Sequence, residues 1–229
     1  EAGRLKAAAA LFKEALRLNA DNAAANVNLQ VNQALMTGKS LSTDLVKIWD
    51  GKPGLLDLYG PVDEPEFLRL FGSALLAQKD DMVRRAAVNF ARASRLSPTN
   101  RFNHFGFIAA ALAVGDMGSA TNVLNELRAD ASRPRWTPLE KAGFAESDGR
   151  VLIALNQLAA AEAPLKEALR LNPNNPELYD YLSYLYLLLG KTDQSLALTE
   201  PWEKVAKSDP APMSRRALIL MQLGRNAPA

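Results

Sequence analysis

A single histidine, His104, and no cysteine stand among the 229 residues. That inventory removes His-pair zinc sites, Cys–His nucleophile pairs and most transition-metal clusters. His104 lies beside Phe105 and Phe107 on a helical stretch, so it reads as a surface or boundary residue and not as a general base. Asp63, Glu64 and Glu66 cluster around Pro61 and Pro65. Carboxylates of this kind bind Ca²⁺ when they alternate along a loop closed by a Glu, and that spacing is missing, so a solvated turn is expected. The stretch GDMGSA, from Gly115, lacks the phosphate-cradle pattern, and no serine sits in a glycine-flanked elbow.

Arginines are the remaining candidates. Arg84 and Arg85 are adjacent, Arg92 and Arg95 share a helix face, and Arg101 follows. The formal net charge is only +2, too little to draw a polyanion. A solvated helix surface is therefore expected here, with an acidic partner peptide as the alternative. The expectation is a chain that is not an enzyme, holds no metal or cofactor and does not bind nucleic acid.

With 48% hydrophobic and 23% charged residues the composition is that of an ordinary folded chain. No apolar run approaches the length of a membrane span. Glu1 is preceded by no leader, which a mature chain, a trimmed one or an excised piece would all show, so further domains stay open. Absence of cysteine leaves the redox compartment undecided. A periplasmic or membrane-associated periplasmic place is preferred to the cytoplasm.

What must position any site is a set of helices. In GRLKAAAALFKEAL, Leu5, Ala8, Phe12 and Ala15 follow Gly3 at offsets of two, five, nine and twelve. Met117, Ala120, Leu124 and Leu127 follow Gly115 in the same frame, and Val83, Ala86, Phe90 and Ala93 follow Asp81. Leu158, Ala161, Leu165 and Ala168 follow Asn156, which stands where a glycine would. Small residues let two helices approach, and the large one fills the hole between neighbouring pairs. Ala20, Pro98 and Pro173 then stop the helix five positions after the last small residue. A further helix from Ala23 carries Leu29, Gln33 and Met36 before Gly38, and Pro201 predicts a kink or a late start in another.

The pattern resembles the tetratricopeptide repeat, whose period is 34 residues. LYDYLSYLYLLLGK carries its first-helix motif in Tyr179, Leu182, Ser183, Tyr186 and Gly190. PMSRRALILMQLGR carries a weaker one in Met213, Ala217, Leu220 and Gly224. The resemblance covers most of the chain and implies an all-α fold, a right-handed α-solenoid of tetratricopeptide-like helix pairs with two insertions. About six units are expected over residues 1–229. Residues 1–22 form the second helix of a first unit, followed by 23–64 with an insertion, 65–100, 101–134, 135–175 with an insertion, 176–209, and a partial or capping helix over 210–229.

Two departures from the period locate the insertions. Phe12 and Leu165 open near-identical segments 153 positions apart, where four periods would need 136. Ten of the 17 surplus residues fall between Ala20 and Pro98, and seven between Pro98 and Pro173. The first insertion follows a short helix expected near Leu41 to Trp49 and carries Leu55, Leu56, Leu58 and Tyr59 among turn residues. The second surrounds Trp136, after which Pro138 suits the first turn of a longer helix with Ala145, Gly149 and Leu152. Each insertion either touches a partner, with Trp49, Leu55, Tyr59 and Trp136 as candidates, or fills a gap between repeats.

In the tetratricopeptide family the first helices line a groove that holds a peptide. The resemblance carries that role to Val27 and Val31, to Phe105 and Ala109, and to Asp180, Tyr184 and Leu187. Such a groove is largely apolar with Asp180 as a polar fixing point. For Tyr181 and Tyr184, packing against the next repeat is the competing role. The family's basic clamp for C-terminal carboxylates is not expected, because its only matches, Asn28 and Arg215, lie in distant repeats. A non-enzymatic adaptor is thus expected to bind a protein or peptide partner, with assembly of a bacterial cell-envelope or secretion complex as its setting. The alternatives are a regulatory or substrate-recruiting segment of a larger enzyme, such as a glycosyltransferase or peptidase, and a self-associating scaffold.

Overall fold

A computed structural model describes residues 2–41, 56, 58–61, 63–78, 82–130 and 135–225. All regular structure among them is helical. The chain divides into two compact units, Glu1–Val114 and Gly115–Ala229. The first holds α1 (Ala2–Leu18), α2 (Ala23–Thr37), α3 (Pro65–Gln78), α4 (Met82–Leu96) and α5 (Arg101–Ala113). The second holds α6 (Met117–Ala129), α7 (Pro138–Ala154), α8 (Leu158–Leu171), α9 (Pro176–Leu188), α10 (Thr192–Val205) and α11 (Ala211–Arg225).

The Asn-rich turns explain why helices restart so promptly. The last Asn of each turn caps the next helix: Asn22 Oδ1 accepts from Ala25 N at 2.9 Å, Asn100 Oδ1 from Phe102 N at 3.2 Å, and Asn175 Oδ1 from Glu177 N at 3.0 Å. Each satisfies one of the amide donors a helix start leaves open. At α7 the cap is Thr137, which forms a reciprocal capping box with Glu140, and Pro138 takes the first helical position as its sequence suggests. The turns joining first to second helices need left-handed backbone. Gly115 and Gly190 supply it with φ of 78° and 70°, and Asn156 does so with φ of 58°, which explains how an Asn replaces glycine in that frame.

Within each unit the frame residues are the core. Ala86, Phe90 and Ala93 are buried on α4, and Ala161, Leu165 and Ala168 on α8. The facing first helices make room with glycine. A Cβ on Gly149 would lie 2.5 Å from Leu165 Cγ, and one on Gly106 would run into the Phe90 ring. In the α9–α10 pair the small residues are Ser183 and Ser195, both fully buried; Ser195 donates its hydroxyl to the Ser183 carbonyl at 3.0 Å and accepts from the Ser183 hydroxyl at 2.8 Å.

Three sequence expectations change. On α2 the buried face is Ala24, Ala25, Val27, Val31 and Asn32, while Gln33 and Met36 are exposed. Pro201 produces no late start, because α10 runs from Thr192 through it to Val205. On α11 the stripe Met213, Ala217 and Leu220 is exposed, and Pro212 and Ile219 are the buried residues. These two correspond to Leu178 and Leu185 of α9, both buried. The helix expected near Leu41 to Trp49 lies outside the described residues.

Candidate partner-binding surface

The candidate groove positions have different fates in the two units. Val27 and Val31 are 0% and 3% exposed. They belong to one apolar cluster with Leu56 of the first insertion and with Phe67, Phe71 and Leu75 of α3. Asn28 fixes the arrangement by donating its side-chain amide to the Tyr59 carbonyl at 2.5 Å. Leu56 and the Tyr59 backbone therefore lie against α2, and both valines are core residues there. Ala109 is buried as well, and half-buried Phe105 packs edge-on against Phe102 with centroids 5.8 Å apart.

On α9 the corresponding positions stay open. Tyr184 is 45% exposed and Leu188 44%, with Leu187 half-buried one helical turn from Tyr184. Tyr179 and Tyr186 on the same helix are buried, so exposure here is a property of the face and not of the residue type. Arg215 of α11 bonds Asp180 through Nη2 at 2.6 Å, and its guanidinium lies 6.0 Å from the Tyr184 ring centroid. On the other side Arg150 of α7 stacks over Tyr181 at 4.7 Å and meets Glu146 at 3.4 Å. These contacts place Glu146, Arg150, Asp180, Tyr181, Tyr184 and Arg215 on one surface across α7, α9 and α11. Leu218, one turn beyond Arg215 and 58% exposed, extends it.

Two groups on this surface titrate abnormally. Burial pushes the Glu146 carboxyl up from its ordinary value, with Arg150 opposing the shift and Glu177 adding to it. Burial also raises the Tyr181 phenol, and Glu177, Glu146 and Asp180 add to that against Arg150. Nothing in this set resembles a nucleophile beside a base. It can position and recognise, and its arginines are held by ring and carboxylate together.

The other sequence candidates have structural partners. Arg92 pairs with Asp63 at 2.6 Å, and Glu64 accepts from the Phe67 amide at the start of α3. No group of acidic or His side chains suited to a metal ion occurs among the described residues. His104 is half-buried with Nε2 3.3 Å from the Pro98 carbonyl. Trp136 is buried and edge-on to Phe144, 5.7 Å between centroids, so it packs against α7. Tyr59 is exposed, and Trp49 and Leu55 lie outside the described residues. No helix among the described residues is long and apolar enough to cross a membrane.

Sequence reasoning missed the roles of Glu146, Arg150, Leu188 and Leu218. Their signal was present, since Glu146 and Arg150 lie four apart on α7 and a helix places such residues on one face. In the sequence Arg215 reads only as a poor match to a carboxylate clamp, whereas the structure pairs it with Asp180.

Known proteins supply an independent comparison. Residues 165–197 match the family profile of the tetratricopeptide repeat. No curated protein sequence matches the chain. Among solved structures it is similar to TTC0263, a thermophilic TPR protein of Thermus thermophilus, at 25% identity and a TM-score of 0.61, covering 85% of this chain and 97% of that one. YrrB, described as a TPR protein with an unusual peptide-binding site, matches at 15% identity and a TM-score of 0.43, over 76% and 84% of the two chains. A MamA RS-1 double mutant matches at 16% and 0.47, over 88% and 96%. The matched stretch runs from the buried Leu165 of α8 into α10, and the same frame of small and large residues recurs in both units, so the chain has an all-α architecture of tetratricopeptide-like helix pairs with one repeat matched by the family profile.

Proposed function

We propose that the α9 face of the second unit binds a protein or peptide partner, with Tyr184, Leu187, Leu188 and Leu218 supplying the apolar contact. The observation that carries this reading is Tyr184, a large ring left 45% exposed while its own helix buries two other tyrosines. An amphipathic ring held by a neighbouring guanidinium is a low-entropy anchor, because little freedom remains to be lost on binding. The YrrB description names peptide binding for that protein, and the proposal stands here on Tyr184 alone.

The test is fluorescence anisotropy with a labelled peptide of leucine and glutamine. Tyr184→Ala is expected to weaken binding roughly tenfold, the loss typical of one aromatic anchor. Its melting temperature should stay within a few degrees of the parent's. Unchanged binding by a folded variant would end the reading. In its finer form the proposal places this contact in assembly of a cell-envelope or secretion complex, which cross-linking through position 184 in whole cells would address.

A further inference from the structure

We infer that the α9 face selects a partner segment in which lysine or arginine sits beside aliphatic side chains. This rests on the binding role proposed above and names the chemistry of its occupant. Charge balance on the face is what favours such a segment. Three carboxylates, Glu146, Glu177 and Asp180, act on the Tyr181 phenol, and Arg150 is the one cation opposing them there. Adding Arg215, which bonds Asp180, leaves three negative groups against two positive ones.

Accessibility sharpens the imbalance. The side chains of Arg150 and Arg215 are only 20% and 21% exposed, each engaged with a carboxylate and lying over a ring. Neither is free to receive a carboxylate from outside. Glu177 is exposed and pairs with no cation among the described residues, and Asp180 keeps 44% of its side chain in solvent. The charge that a partner meets at the N-terminal half of α9 is therefore negative, and Tyr184 lies between it and the aliphatic Leu187 and Leu188 at the helix's other end. An incoming ammonium or guanidinium gains a counter-charge at Glu177, while an incoming carboxylate is repelled. Non-specific attraction cannot imitate this preference, since the whole chain carries a net charge of +2.

Three labelled peptides of equal length test it, with leucine at every third position and lysine, glutamine or glutamate between. The lysine peptide should bind the full chain roughly tenfold more tightly than the glutamate peptide, with glutamine between them. Glu177→Gln, a change at an exposed position, should shrink the lysine advantage and leave the glutamine peptide unaffected. Equal affinity for the lysine and glutamate peptides, or tighter glutamate binding, overturns the inference while a Tyr184→Ala loss on the glutamine peptide leaves the binding role standing. A lysine advantage that persists undiminished in Glu177→Gln also overturns it. If Tyr184→Ala weakens none of the three, the binding role fails and the inference with it.

Discussion

The α2 and α9 faces present the same repeat positions in opposite conditions. Val27 and Val31 on α2 are sealed under Leu56 and α3, whereas Asp180 and Tyr184 on α9 meet solvent, rings and a guanidinium. The side chains fit their fates. β-Branched aliphatics gain most when fully covered, and a tyrosine keeps its hydroxyl wet while offering its ring. A repeat position is therefore only a place on a helix. What lies over it decides whether it is core or surface, and in the first unit an insertion makes that decision.

Charge substitution offers the severest way to break the contrast. Val31→Asp places a carboxylate in an apolar cluster, and urea unfolding should show the first unit losing about 3–5 kcal/mol. Tyr184→Asp, at the corresponding position of α9, should cost less than about 1 kcal/mol in the second unit. Similar losses at both sites would abolish the distinction. A milder probe is Leu56→Ala, expected to destabilise the first unit by about 2–4 kcal/mol if the insertion is part of the core. A change below about 0.5 kcal/mol would reduce the inserted residues to surface decoration.

Smaller effects sharpen the second unit's side of the comparison. Asn175→Ala removes the cap of α9 and should cost about 1 kcal/mol, read from thermal unfolding. The gentlest probe is acid. Glu162 is held below its usual value by hydrogen bonds from Lys166 and Lys191, both at 2.5 Å, the latter tying α8 to the start of α10. Its contribution is therefore fully present above the ordinary carboxyl value of 4.5 and is lost as pH falls through the lowered folded value. Melting temperature should decline over that acid range, and Glu162→Gln should flatten this part of the decline.

Legibility of the sequence followed the physics of each feature. Helix pairing was readable because Ala86, Phe90 and Ala93, like Ala161, Leu165 and Ala168, repeat one spacing, and spacing on a helix fixes a face. Where Leu56 comes to rest was not, because covering α2 is a long-range contact with no local pattern. Arg215 and Asp180 are 35 residues apart, and nothing in either neighbourhood announces their pairing.

The hydrogen-bonding roles of the asparagines carry a consequence for chemical ageing. At Asn22 and Asn100 the amide oxygen makes the capping bond, so hydrolysis to aspartate keeps the acceptor and adds a negative charge where helix starts favour one. Asn28 uses its nitrogen, donating to the Ala24 and Tyr59 carbonyls. The same hydrolysis there removes the donor and sets a carboxylate against two carbonyl oxygens. Slow loss of ammonia is thus harmless at the starts of α2 and α5 and corrosive at Asn28, which fastens Tyr59 to α2.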